Sequence, residues 1–64
     1  MTATHQVLTI PGLEAVYDEL AAAIDAAGAA KTELFLVKLA LLNANALADP
    51  ARFRQHLQAA LQDL

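Results

Sequence analysis

The sequence predicts an all-α fold, read as a three-helix antiparallel bundle. Its helices fall at about 11–27, 30–48 and 50–63, and the second is the expected assembly surface. Three observations lead there. Apolar residues recur at spacings of three and four, the period of a helix face. Alanine, the strongest helix former, is frequent, as in Ala21-Ala22-Ala23 and Ala26-Ala27. Helix punctuation falls between the apolar segments, with Pro11 at a start, Gly28 at an end and Asp49-Pro50 at a start.

Residues 1–10 read as a flexible arm, with Val7-Leu8-Thr9-Ile10 placed extended against the body. The remainder, 11–64, reads as one helical domain, since 64 residues allow no more. In the first helix Leu13, Val16, Tyr17, Leu20, Ile24 and Ala27 form the apolar stripe, and Glu14, Asp18 and Asp25 lie off it. Pro11 suits the first turn and Glu14 is placed to complement the helix dipole. Gly28 is the expected C-terminal cap because it takes positive φ without strain.

The second helix is apolar around most of its circumference. At about 100° per residue, Lys31, Lys38, Asn45 and Asp49 share one narrow polar stripe, and nearly every other position is apolar. Two neighbouring helices of a single short chain cover such a circumference poorly. Ala40, Ala44 and Ala48 form a ridge of small side chains that would let another helix approach closely. Leu34, Phe35, Leu36, Leu39, Leu41 and Leu42 are therefore expected to be covered in an assembly. In the third helix Asp49 caps, Pro50 opens the first turn, and Phe53, Leu57, Ala60, Leu61 and Leu64 face inward.

Composition supports self-association. Hydrophobic residues make up 58% of the chain, although a small protein has much surface to keep wet. Cysteine is absent, which removes disulfides and thiolate metal sites as staples. An apolar excess without a staple calls for a partner. A homodimer with two-fold symmetry is the commonest closed solution. The expected interface residues are Leu36, Leu39, Ala40, Asn43, Ala44 and Leu47, with Lys38 and Asn45 as polar contacts to a partner.

Asn43 is the most informative polar residue. It lies on the wheel opposite Lys38 and Asn45, among Leu36, Leu39, Ala46 and Leu47, and is expected to be buried. It would then either bond backbone or water, or fix register across a helical interface. Tyr17 lies on the stripe of the first helix, where it packs with its hydroxyl at the edge or contacts a ligand.

Catalytic and cofactor chemistry has little foothold. The sequence contains no serine, and its two histidines, His5 and His56, belong to no ligand spacing. Asp18 and Glu19 are adjacent and so diverge on a helix. Gly12 and Gly28 are isolated and make no phosphate-cradling loop. The reading is a non-enzyme with no cofactor and no metal. Arg52, Arg54, Gln55 and Gln58 are side chains a DNA-recognition helix uses. However, four basic residues against seven acidic ones, net charge −3, weigh against nucleic acid. The segment Met1-Thr2-Ala3-Thr4-His5 lacks the basic start of a secretory leader, and no apolar run spans a bilayer. A bacterial-type cytoplasmic location with no membrane partner is expected.

The stretch from Tyr17 to Leu61 resembles a family of short bacterial all-helical proteins classed as a domain of unknown function. Tyr17, Lys38, Asn45 and Asp49 carry the likeness, the last three within the run from Lys38 to Asp49. The segment between the first two helices is longer here, and Leu36, Ala46 and Ala48 replace the usual polar or glycine residues. The resemblance implies no assigned activity. Through its association with flavin-dependent aromatic degradation, it implies an accessory subunit of a larger enzyme. The expected function is thus a helical interaction module. The alternative is a carrier of a small apolar ligand, with Tyr17 and Asn43 as polar handles.

Overall fold

The computed structural model describes residues 7–64. Among them are three α-helices, one 3-10 turn and no strand, so the fold is all-α. The helices are α1 (Ile10–Ala27), α2 (Thr32–Leu47) and α3 (Pro50–Ala60), with the 3-10 turn at Ala29–Lys31. The chain divides into two units, Met1–Thr32 and Glu33–Leu64.

The first unit is α1 with its two caps. Thr9 is extended and closes the N-terminus: its Oγ1 accepts a hydrogen bond from the Gly12 N–H at 3.1 Å. The Leu13 N–H donates to the Thr9 carbonyl at 2.8 Å. Helix α1 therefore begins at Ile10, one residue before the expected Pro11. The expected arm is correspondingly shorter, because Thr9 and Ile10 belong to the helix start. Its residues 1–6 lie outside the described residues. A Cβ at Gly12 would meet the Thr9 Oγ1 at 3.1 Å, so a residue without a side chain leaves the cap undisturbed. Glu14, assigned to the helix dipole, lies beyond the first turn, where that field has faded.

The C-terminal end of α1 differs from an ordinary glycine cap. The Gly28 N–H closes the last turn on the Ile24 carbonyl at 3.1 Å. Its backbone takes φ 82° and ψ 157°. The expected positive φ is present, but ψ is extended rather than left-handed helical. That combination is essentially reserved for glycine. The Gly28 carbonyl then accepts twice, from the Lys31 N–H at 3.0 Å and from the Thr32 hydroxyl at 2.8 Å. These bonds start the second helical segment as a 3-10 turn, which becomes α-helical at Thr32 rather than at residue 30.

The second unit holds α2 and α3, joined by a two-residue elbow. Ala48 has φ 58°, and its N–H donates to the Ala44 carbonyl at 2.9 Å. This is a left-handed helix stop in which alanine occupies the position glycine usually takes. Asp49 then returns to extended backbone, and its Oδ1 accepts from the Ala51 and Arg52 N–H groups at 3.0 and 3.2 Å. Asp49-Pro50 thus opens α3 as the sequence predicts. The helix stops at Ala60, short of the expected residue 63. Its last turn tightens through the Gln62 N–H on the Ala59 carbonyl at 3.2 Å, and Asp63 turns to φ 56°.

No described residue is fully buried. Within the second unit α2 and α3 diverge from the elbow, and no pair of its residues twelve or more positions apart comes into contact. The helices are held by their caps and by local turns.

Two substitutions test this backbone account. Ala48→Gly should stabilise the chain by about 1 kcal/mol, because it removes the left-handed penalty of a Cβ. Gly28→Ala should destabilise it by about 1–3 kcal/mol through φ alone, since nothing lies within 4 Å of an added Cβ. Thermal melts by circular dichroism at one protein concentration read both. Equal melts for Ala48→Gly and the parent would contradict the left-handed stop.

Candidate functional site

Helix α2 carries the candidate site on several faces. Leu36, Ala40, Asn43 and Leu47 recur at four, three and four residues, which is the seam spacing of a packed helix pair. Leu39, Ala44 and Ala46 flank the seam. Leu39, Ala40, Ala44 and Leu47 are half-buried, and Leu36 is at the exposed limit with 37% of its surface accessible.

Away from the seam, α2 offers a second apolar face. Leu34, Val37, Leu41 and Leu42 are exposed by 57%, 49%, 62% and 69%. On a surface helix these positions would be polar, because exposed leucine gains nothing from burial. Lys38 and Asn45, also exposed, form the strip between Leu41 and Leu42.

The elbow gathers these faces into concave surfaces. A groove of about 580 Å³ lies on its inner side. Helix α2 contributes Ala40, Asn43, Ala46 and Leu47, while α3 contributes Phe53, His56 and Ala60. Three alanines leave the room, and Phe53 supplies an aromatic wall. A second groove of about 480 Å³ contains Leu41, Ala44, Asn45 and Ala48, closed by Asp49, Pro50 and Phe53. A shallower one of about 380 Å³ is lined by Lys38, Leu41, Leu42 and Asn45.

The residues expected to form an interface are therefore divided. Ala40, Asn43 and Leu47 meet in the inner groove, whereas Ala44 lines the second groove. Lys38 and Asn45, expected as partner contacts, share the third. Leu36 continues the seam toward the start of α2, and Leu39 sits beside it. Tyr17 stands on α1 in the first unit and is 67% exposed.

The expected burial of Asn43 is corrected. It is exposed, because no element of its own unit covers that side of α2. Its amide has no hydrogen-bond partner among the described residues and is free to meet one from outside. His56, which belongs to no ligand spacing in the sequence, is an exposed histidine of α3. The structure puts it in the inner groove with Asn43 and Phe53. The spacing of Phe53, His56 and Ala60, three then four, was the available signal.

Among the described residues no group of three or more His, Asp or Glu side chains is placed to hold a metal ion. The arrangement is suited to burying apolar surface, with an amide, an imidazole and an ammonium as polar points at its edges. No described helix is long and apolar enough to cross a membrane. Compared with known proteins, the chain matches no family model, no curated protein and no solved structure.

The exposure of the second face has a direct consequence. Leu41→Gln and Leu42→Gln should change stability by no more than about 0.5 kcal/mol in dilute solution, as exposed substitutions do. The same changes in a packed core would cost several times that. Urea titrations at low protein concentration decide it, and a loss above about 2 kcal/mol would contradict an exposed face.

Proposed function

We propose that this chain is a non-catalytic helical interaction module that works by pairing with a second copy. The supporting observation is apolar surface on both sides of α2: along the seam Leu36 is 37% exposed and Leu39, Ala40, Ala44 and Leu47 are only half-buried, and on the opposite side Leu34, Leu41 and Leu42 are each more than half exposed. Apolar surface of this kind costs free energy until a partner removes it from water. In this reading residues 11–64 act as one domain whose helices close into an antiparallel three-helix bundle. The seam of Leu36, Ala40, Asn43 and Leu47, with Leu39 and Ala44, forms the two-fold contact. Lys38 and Asn45 supply polar contacts at its rim. The protein acts in the cytoplasm without a cofactor.

The resemblance to the family of unknown function extends this reading. The paired module would serve as a small accessory subunit of a larger, flavin-dependent enzyme. The apolar faces of α2 left outside the two-fold contact would carry that association.

One observation favours a second reading. The inner groove, about 580 Å³, is of the size that holds a small apolar ligand, and it presents Asn43 and His56 as polar handles. A carrier would show a stoichiometric ligand by native mass spectrometry, whereas the pairing module would show only protein.

Sedimentation velocity over a dilution series tests the proposal. It should report a dimer that dissociates on dilution, and a monomer at every concentration would overturn it. Asn43→Leu should keep or raise thermal stability, because an amide that pairing would bury is replaced by an apolar side chain. The same variant should broaden the distribution of assembled species, because the polar register mark is gone. A single unchanged dimer for Asn43→Leu would remove Asn43 from the register role.

A further inference from the structure

Charge is segregated between the helices, and the segregation follows their apolar stripes. Helix α1 contains four carboxylates and no basic residue. Helix α3 contains two arginines and no acidic residue. On α1 the stripe of Leu13, Val16, Tyr17, Leu20 and Ile24 is edged on one side by Glu14, Asp18 and Asp25 and on the other by Glu19. On α3 the stripe of Phe53, Leu57 and Ala60, continued by the C-cap residue Leu61, is edged by Arg54 on one side and by Arg52 and His56 on the other. All of these charged side chains are exposed.

Both stripes are open to a partner. Leu13, Val16 and Tyr17 retain 54%, 46% and 67% of their exposure, and Leu57 and Leu61 retain 49% and 66%. An acid-edged apolar stripe and a base-edged one form a complementary pair, while two copies of the same stripe would repel along both edges.

We infer that α1 of one copy docks on the base-edged stripe of α3 in a second copy, so that each three-helix bundle takes its α1 from the partner. The contact is apolar at its centre and charged along both edges. This inference rests on the self-association proposed above and adds a second pair of surfaces to the α2 contact. Two such contacts arise in a two-fold dimer, because each chain offers one stripe of each kind. The eleven residues of α3 match about three turns of the eighteen-residue α1, so part of α1 extends past the contact. Flanking charges of this kind set partner choice and orientation, and the apolar centre supplies the adhesion.

Charge exchange on the full chain tests it. One variant carries Glu14→Lys and Asp18→Lys, and the other carries Arg52→Glu and Arg54→Glu. Each alone should self-associate at least about tenfold more weakly than the parent in sedimentation, because like charges now face each other. Mixed in equal amounts, they should recover association, because one α1–α3 contact of the mixed dimer is native and the other has its charges exchanged. Variants that pair as tightly as the parent would overturn this docking while leaving self-association intact. Weakened variants whose mixture does not recover, with lower melting temperatures when dilute, would place α1 on the α3 of its own chain instead and overturn it as well. A parent that is monomeric at every concentration would overturn both proposals. If a reversed variant does not fold, Glu14→Gln with Asp18→Gln serves in its place. That form should dimerise with a weaker salt dependence than the parent, and an equal salt dependence in the two would overturn the docking.

Discussion

Every feature of this protein returns to the apolar circumference of α2. A helix in a small globular chain shields one face and solvates the other. Here the seam of Leu36, Ala40, Asn43 and Leu47 and the face of Leu34, Val37, Leu41 and Leu42 both demand cover. Within its own unit α2 gains little cover, because α3 diverges from it at the Ala48–Asp49 elbow. This demand connects the composition, the exposure of the leucines and the proposed pairing.

The helices themselves are specified locally. Thr9, Gly28 and Asp49 satisfy orphan backbone groups at helix ends with side-chain or turn bonds. Such caps fix where a helix begins and ends without fixing what it packs against. Local bonds therefore determine the elements, while burial determines the assembly. Strain sits at the joints: Ala48 keeps a left-handed backbone despite its Cβ, and Gly28 holds a conformation closed to other residues. The elbow gains from this arrangement, since the turn at Ala48 brings Phe53 and His56 beside Asn43.

The sequence conveyed the helices better than their joints. Asp49-Pro50 reads as a helix start because both residue types have a mechanical reason to be there, and α3 begins at Pro50. Pro11 offers a more conspicuous helix start than Thr9, although threonine three residues before Gly12 is suitably placed to bond its N–H. The stop at Ala48 is not legible, because alanine carries no preference for positive φ. The early end of α3 at Ala60 is equally silent, since Leu61 and Gln62 are good helix formers. For the candidate site, periodicity identified the α2 seam but not its division among grooves. Residues on two helices come together only through the angle of the elbow, which no spacing encodes. Asn43 shows the same limit: the wheel gives the side of the helix it occupies, and burial depends on what lies opposite.

The most direct test of the central claim is hydrogen exchange of the α2 amides across a dilution series. If the cover of α2 is supplied by a second copy, protection from Thr32 to Leu47 should fall as the protein is diluted. The amides held by the caps at Thr9 and Asp49 should change less. Protection of α2 that is strong and independent of concentration would mean that one chain covers this helix by itself, and would contradict the account.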